Sequence, residues 1–176
     1  MADKPVGGAR VRRMTSGDLE TVLSWRNHPE VQRYMYTQHE ISAQEHAAWF
    51  ERTDADAQSH LLIFELAQIP AGFISFKEHA RGAIGDWGFY LAPEAPRGTG
   101  YQLGLEALEH GFIELGFHKV CGQVLAYNER SIAFHERLGF QAEGVLREQH
   151  FDGLQYHNIV CFGILAKEWL SRKEGM

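Results

Sequence analysis

Thiols are nearly absent from this chain. Among 176 residues only Cys121 and Cys161 are cysteines, and each sits inside an apolar, strand-like run. They offer no disulfide framework and no Cys-x-x-Cys metal motif, and their expected role is that of small buried hydrophobes. Basic clusters are missing as well: the formal net charge is -6, the isoelectric point is near 5.9, and no run of Lys and Arg creates a local positive footprint. Nucleic acid is therefore not an expected partner. No stretch approaches membrane-spanning length, and the segment from Met1 to Gly8 has no apolar core of the signal-peptide kind. A cytoplasmic protein with a disordered start over residues 1–9 and no membrane partner is expected. Histidine is plentiful, with ten residues, yet no His-Glu-x-x-His spacing occurs, so no metal is expected.

What is present is enough apolar residue, 44% of the chain, for one well-packed domain. The chain is organised around the stretch from Asp86 to Glu106, where a strand pattern breaks at a proline-rich turn and restarts as a helix. At its centre stands Arg97-Gly98-Thr99-Gly100-Tyr101. Glycines just before a helix let backbone approach a ligand closely, and the first N–H groups of the helix point outward with the positive end of the macrodipole behind them. The arrangement suits an anion. It is not a Walker loop, because Tyr101-Gln102-Leu103 stands where Gly-Lys-Ser/Thr is needed, and Gly104 comes one place late for a dinucleotide fingerprint. A glycine-rich connection that binds nothing is the plain alternative.

Taken in order, Arg10 to Met14 reads as a strand, and Thr15-Ser16-Gly17-Asp18 caps a helix carrying Leu19, Val22, Leu23 and Arg26 at helical spacing. A short second helix is expected over Pro29 to Tyr34. A third is opened by Ser42 and Glu45, with His46, Trp49 and Phe50 on one face. Leu61 to Leu66 and Ala71 to Phe76 form a hairpin across Gln68-Ile69-Pro70, and Ile84 to Leu91 adds a strand that feeds the cradle. In the cradle helix, Gly100, Gly104, Ala107 and Gly111 make a small-residue stripe suited to lying close on a sheet. Val120 to Leu125 completes a strand–helix–strand crossover, which needs a parallel pair and aims the cradle at the strands' carboxyl ends. A helix from Ser131 to Leu138 stops at Gly139. Strands over Phe140 to Gln149 and Leu154 to Leu165 are joined at Asp152-Gly153, and Trp169 and Leu170 mark a docking helix or frayed end.

This order, together with Arg97-Gly98-Thr99-Gly100 and the run from Asn128-x-x-Ser131 to Leu138-Gly139-Phe140, resembles the GNAT superfamily of acetyl-CoA-dependent N-acetyltransferases over nearly the whole chain. Trp25-Arg26-Asn27, Tyr34-Met35, Ile41-Ser42, Glu45-His46-x-x-Trp49-Phe50 and Phe162-Gly163-Ile164-Leu165 look like the pseudaminic-acid-pathway acetyltransferases, the PseH group. The resemblance implies an α/β fold of the α+β kind: a mixed, largely antiparallel sheet flanked by helices, in one domain over residues 10–170 with a tail over 171–176. The implied reaction is direct attack by the 4-amino group of a UDP-linked 4-amino-4,6-dideoxy sugar on acetyl-CoA, without metal, in pseudaminic acid biosynthesis for flagellin glycosylation.

By the same resemblance, Phe89, Tyr90, Leu91, Arg97, Gly98, Thr99, Gly100, Tyr101, Gln102, Asn128, Ser131 and Phe134 would bind the coenzyme. Two departures stand out: Gln102 replaces the usual glycine or alanine, and His135 stands where a tyrosine often acts as the acid. His135 would then protonate the thiolate and Asp86 would take the amine's proton, unless water performs these steps. Trp25, Arg26, Met35, Tyr36, His39, Lys77 and Tyr90 are candidate substrate contacts, each with a structural alternative in core packing or surface charge. Two other functions are open: acetylation of a protein N-terminal amine, as in the ribosomal-protein alanine acetyltransferases, and a non-catalytic acetyl-CoA-binding module. A monomer and a homodimer are equally compatible with the sequence.

Overall fold

In the computed structural model of the chain, residues 8–79 and 82–174 are described. The disordered start expected over residues 1–9 lies largely outside them, and strand β1 (Ala9–Arg13) already begins at residue 9. A 3-10 turn leads into α1 (Leu19–Asn27), followed by α2 (Pro29–Gln32) and α3 (Ala43–Asp54). Then come β2 (Ser59–Leu66), β3 (Ile69–Glu78), β4 (Ile84–Leu91), α4 (Thr99–Glu109), β5 (Lys119–Leu125) and α5 (Glu129–Leu138). The chain closes with β6 (Gln141–Phe151), β7 (Tyr156–Leu165) and α6 (Ala166–Glu174). The tail expected over 171–176 is therefore helical as far as Glu174.

One seven-stranded sheet runs in the order β1-β2-β3-β4-β5-β7-β6. Only β4 and β5 pair in parallel, as the crossover requires, and every other pair is antiparallel. The β2–β3 turn is tighter than the sequence suggests. Ala67 and Gln68 both take positive φ, 48° and 68°, closing a two-residue hairpin whose twist matches the strands. Pro70 then falls at the start of β3, where the ladder slips register between Phe64 and Glu65.

Period-2 alternation sends side chains to two cores on opposite faces of the sheet. Leu62, Phe64, Ile74, Phe76 and Trp87 pack with Leu103, Ala107, Leu108, Leu138 and Trp169 on one face. Leu61, Ile63 and Phe73 pack with Met14, Val22, Trp25 and Phe50 on the other. Trp169 docks α6, whereas Leu170 is exposed. The small-residue stripe that begins on α4 and continues into the helical turn His110–Glu114 serves two neighbours rather than the sheet alone. A Cβ at Gly104 would stand 2.6 Å from Leu138 Cδ1 of α5, and one at Gly111 would stand 3.3 Å from Phe76 Cζ of β3.

The first strand is pinned by charge. Arg12 donates to both Asp18 oxygens at 2.7 and 2.8 Å and to Glu65 at 2.6 Å, while Arg10 donates to the other Glu65 oxygen at 2.6 Å. The Arg12 hydrogen bonds hold the Asp18 carboxyl below its ordinary range.

Candidate active site

The cleft arises from an interrupted ladder. β4 and β5 pair at Ile84/Lys119, Gly85/Val120 and Asp86/Cys121, and there the pairing ends. β4 stays paired to β3 as far as Leu91, and β5 to β7 as far as Leu125. The two facing edges thus carry backbone groups without ladder partners, which water or an extended ligand must satisfy. A cleft of about 730 Å³ opens between them.

Side chains from three elements meet where the strands part. Trp87, just past the last rung, donates its indole N–H to Nε2 of His135 at 3.1 Å. Nδ1 of His135 lies 2.8 Å from the Ser131 carbonyl, which can only accept, so the ring carries its proton on Nδ1 and is neutral. Burial pushes its pKa down to about 4, against a smaller opposing pull from the Ser131 carbonyl. Gly122 of β5 makes the contact possible: a Cβ there would lie 2.7 Å from both His135 Nε2 and Trp87 Nε1.

At the carboxyl end of β4, Pro93 and Pro96 turn the chain into the cradle, where Gly98 takes φ of 90° as N-cap of α4. A Cβ at Gly98 would meet nothing within 4 Å, and one at Gly100 would only touch Leu91 and Phe134, at 3.4 and 4.0 Å. The space in front of the helix is open, as a bound pyrophosphate requires. Of the residues that the resemblance offered to the coenzyme, Phe89, Tyr90, Leu91, Arg97, Gly98, Gly100, Asn128, Ser131 and Phe134 line the cleft. Asn128 caps α5 by accepting from Ser131 N–H at 3.1 Å, which leaves its Nδ2 as the group free to donate.

Thr99, Tyr101 and Gln102 are not among the cleft residues. The amides of Thr99 and Tyr101 bond the carbonyls of Pro96 and Gly98 at 3.2 Å each. The Tyr101 ring lies under the Arg137 guanidinium at 4.2 Å, and Gln102 turns to solvent, which explains how it is tolerated in the cradle.

Across the cleft, Val31, Arg33, Tyr34, Met35 and Tyr36 form the opposite wall. Two hydroxyls tie this wall to the end of β5: Tyr36 donates to Gln123 Oε1 at 3.3 Å and Tyr127 to the Arg33 carbonyl at 3.0 Å. Asp86 lies at the apex, on the last rung, with His79 Nε2 at 2.9 Å from Oδ2. Beside it is Cys121, whose thiol is pushed up by burial and is thereby a poor nucleophile.

Several expected contacts are absent, each for a physical reason. His135 reaches the cleft but does not fit the role of acid: it is 2% exposed, and both ring nitrogens are engaged, Nε2 accepting from Trp87 and Nδ1–H donating to the Ser131 carbonyl. Trp25 is 4% exposed in the core beneath α1. Arg26 lies behind the wall, where it donates to the Thr37 carbonyl at 3.1 Å, and burial lowers its pKa. His39 pairs with Glu45 at 3.1 Å on the surface, and Lys77 is held by Asp56. Met35, Tyr36 and Tyr90 do line the cleft. Trp87, Gly122 and Gln123 were not anticipated there, although a lone glycine inside the apolar run Val120 to Leu125 is the usual mark of a close approach.

Among the described residues no cluster of three or more His, Cys, Asp or Glu could hold a metal, and no helix is long and apolar enough to cross a membrane.

Strands that part over an open glycine cradle define an acyl-coenzyme A site, and residues 9–141 match the family model described as Acetyltransferase (GNAT) domain. The chain belongs to the GNAT acetyltransferase family and is an acetyl-CoA-dependent N-acetyltransferase. It is 40% identical over 88 residues to the SPbeta prophage-derived uncharacterized N-acetyltransferase YokL of Bacillus subtilis, a match spanning 48% of this chain and 50% of that protein. It is 25% identical over 128 residues to the acetyltransferase PseH of Campylobacter jejuni, spanning 72% of this chain and 79% of the relative. Among solved structures, spermidine N-acetyltransferase from Vibrio cholerae, in complex with CoA and spermine, superposes with a TM-score of 0.85 at 24% identity, covering 92% of this chain and 98% of that one. That likeness establishes the fold.

Proposed function

We propose that the chain acetylates the primary amine of a sugar carried on a nucleotide, of the UDP-linked 4-amino-4,6-dideoxy type, in the pathway to pseudaminic acid. The composition of the acceptor wall carries this reading. Tyr34, Met35 and Tyr36 offer flat and apolar surface for a base or the apolar face of a sugar ring. The carboxylates lining the cleft are Glu30, which Arg33 pairs at 3.0 Å, and the single Asp86 at the apex, which His79 meets at 2.9 Å. A linear polycation would ask for unpaired carboxylates spaced along its length. This wall has none to spare, which supports the amino sugar over spermidine.

Arg97 and the backbone at Gly98 and Gly100 hold the coenzyme's pyrophosphate, and Asn128 Nδ2 donates to the pantetheine arm. The free edge of β4 from Phe89 to Leu91 orients the acyl carbonyl with backbone N–H groups. Acetyl-CoA supplies an activated acetyl group whose transfer to a neutral amine releases a thiolate. Asp86 takes the amine's proton through water. With His135 locked in its neutral form, water protonates the thiolate, which needs no stronger acid because a thiol pKa is about 8.5.

The test is release of coenzyme A from acetyl-CoA with three acceptors offered in parallel: a UDP-linked 4-amino sugar, spermidine, and an N-terminal peptide of a ribosomal protein. The expected result is a kcat/KM for the sugar at least about tenfold above the others, a margin one well-placed contact can supply. Preference for spermidine or the peptide retires the sugar reading. No turnover with any of the three, despite acetyl-CoA binding, retires the sugar reading and both of its rivals as acceptors.

A further inference from the structure

Beyond its last shared rung, β5 carries one polar side chain into the cleft. Gln123 lies two residues past Cys121, so it leaves the sheet on the same face as Cys121 and as Asp86, which shares that rung. Gly122 and Val124, of the opposite parity, face Trp87 and the core. Gln123 is exposed and lines the cleft. Its place on the strand is about 7 Å beyond the rung where Asp86 stands. That is close to the span from a ring amine, across a pyranose, to an oxygen on the far side.

The Gln123 amide is held in one orientation. Tyr36 donates its hydroxyl to Oε1 at 3.3 Å, and the Tyr36 ring is itself seated against His150 of β6, 9% exposed, at 5.3 Å between centroids. Tyr127 fixes the same wall through its bond to the Arg33 carbonyl at 3.0 Å. With Oε1 taken, Gln123 is left with Nε2, which carries two donor hydrogens and meets no acceptor among the described residues. Such a donor suits an oxygen: a hydroxyl, an amide carbonyl or a phosphate. It is the wrong partner for an ammonium, which can only donate as well.

We propose that Gln123 is a specificity-determining residue for the acceptor: oriented by Tyr36, it donates Nε2–H to an oxygen of the molecule whose amine lies at Asp86. It thereby selects amines that carry an oxygen one ring away over simple polyamines. The inference rests on the amino-sugar reading of the site and adds the side chain that enforces it.

The test is the ratio of kcat/KM for a UDP-linked 4-amino-4,6-dideoxy sugar to kcat/KM for spermidine, in the wild type and in three variants. Circular dichroism and the acetyl-CoA KM confirm that each variant is folded and loads its coenzyme. Gln123→Leu removes the donor at similar bulk, and the ratio should fall about tenfold. Gln123→Glu still accepts from Tyr36 but turns a carboxylate oxygen to the acceptor. Its ratio should fall about a hundredfold, with spermidine gaining through a lower KM. Tyr36→Phe keeps the ring and releases the amide, so the ratio should fall about threefold, whereas a ring that acts by stacking alone leaves it unchanged. Should one variant fail to fold, the other two decide. The wild-type ratio judges the sugar reading, and its change among the variants judges Gln123. A ratio equal in wild type, Gln123→Leu and Gln123→Glu overturns the role of Gln123 and leaves the sugar reading standing. A wild type that prefers spermidine, or that turns over neither acceptor, overturns both.

Discussion

Trp87 donates its indole N–H to His135 at 3.1 Å just beyond the last rung shared by β4 and β5, so a single hydrogen bond closes the bottom of the opening between the strands. The pair sits among Phe89, Phe134, Phe140 and Phe162, whose rings lie between 4.8 and 6.3 Å from one or both partners. An imidazole in that setting is a packing and acceptor group. Its chemistry is to stay neutral.

That neutrality links stability to pH. The unfolded chain's histidine binds a proton below about 6.5, while the folded one resists until about pH 4. Between those values the unfolded state holds more protons, so folding stability falls as pH drops through that window. The loss approaches about 3 kcal/mol for a group this deeply buried. Denaturant unfolding at pH 7 and pH 4.5 checks it: His135→Gln should show a smaller difference between the two pH values than wild type. The same variant separates packing from catalysis. If His135 were the acid, kcat would fall by about a hundredfold or more. The expected result is a kcat pH profile of unchanged shape between pH 6 and 8.

Gly122→Ala tests the geometry from the other strand. The added methyl would meet His135 Nε2 and Trp87 Nε1 at 2.7 Å, closer than any relaxed contact. One of the rings must shift, which strains the hydrogen bond between them. A loss of about 2–3 kcal/mol in denaturant stability is expected, the range of an overpacked core site. Gly144→Ala, at a glycine whose Cβ would meet nothing within 4 Å, serves as the control with little change.

The difference between Gly122 and His135 as sequence features explains what could be read in advance. Elements declared themselves through local signals: Ser42 does cap α3, accepting from Glu45 N–H at 3.1 Å, and Gly139 does end α5 in the left-handed conformation, at φ of 96°. The glycine cradle and its helix were legible because φ and close approach belong to the backbone of one segment. Roles that depend on distant partners were not. Nothing near His135 in sequence says that Trp87, 48 residues earlier, will occupy its lone pair, and nothing around Trp25 or Lys77 says which layer or partner claims the side chain. The position of the opening itself was hidden for the same reason. The β4–β5 ladder ends at Asp86 and Cys121, and just beyond it meet Trp87, Gly122 and His135 from three separate elements.

The cradle makes its own prediction. Arg97 lines the cleft beside Gly98 and Gly100, and a guanidinium there complements a pyrophosphate. Arg97→Ala should raise the KM for acetyl-CoA about tenfold, with kcat at saturation little changed, because the contact is made equally in the ground and transition states. Gly100→Val should go further. Its branched side chain grows from a Cβ that would touch the cleft residues Leu91 and Phe134 at 3.4 and 4.0 Å, so acetyl-CoA binding measured by calorimetry should vanish while the melting temperature stays within a few degrees. An intact affinity would remove the cradle from the coenzyme site.

Asp86 is the remaining group at the apex with a plausible proton to move. Its carboxylate stands on the last shared rung and lines the cleft, with His79 2.9 Å away on the side of β3. Asp86→Asn keeps the shape and removes the base. If Asp86 takes the amine's proton, kcat should fall by about a hundredfold, within the usual range for general base catalysis, and the acetyl-CoA KM should not move. His79→Gln should be milder, since His79 meets Asp86 without lining the cleft, and it should lower kcat by much less than Asp86→Asn does. Raising the pH discriminates further. A more alkaline solution supplies more of the amine already neutral, so the deficit of Asp86→Asn should shrink as pH climbs toward the amine's own pKa. A deficit that stays constant with pH would mean that Asp86 positions the acceptor and that the proton leaves by another route.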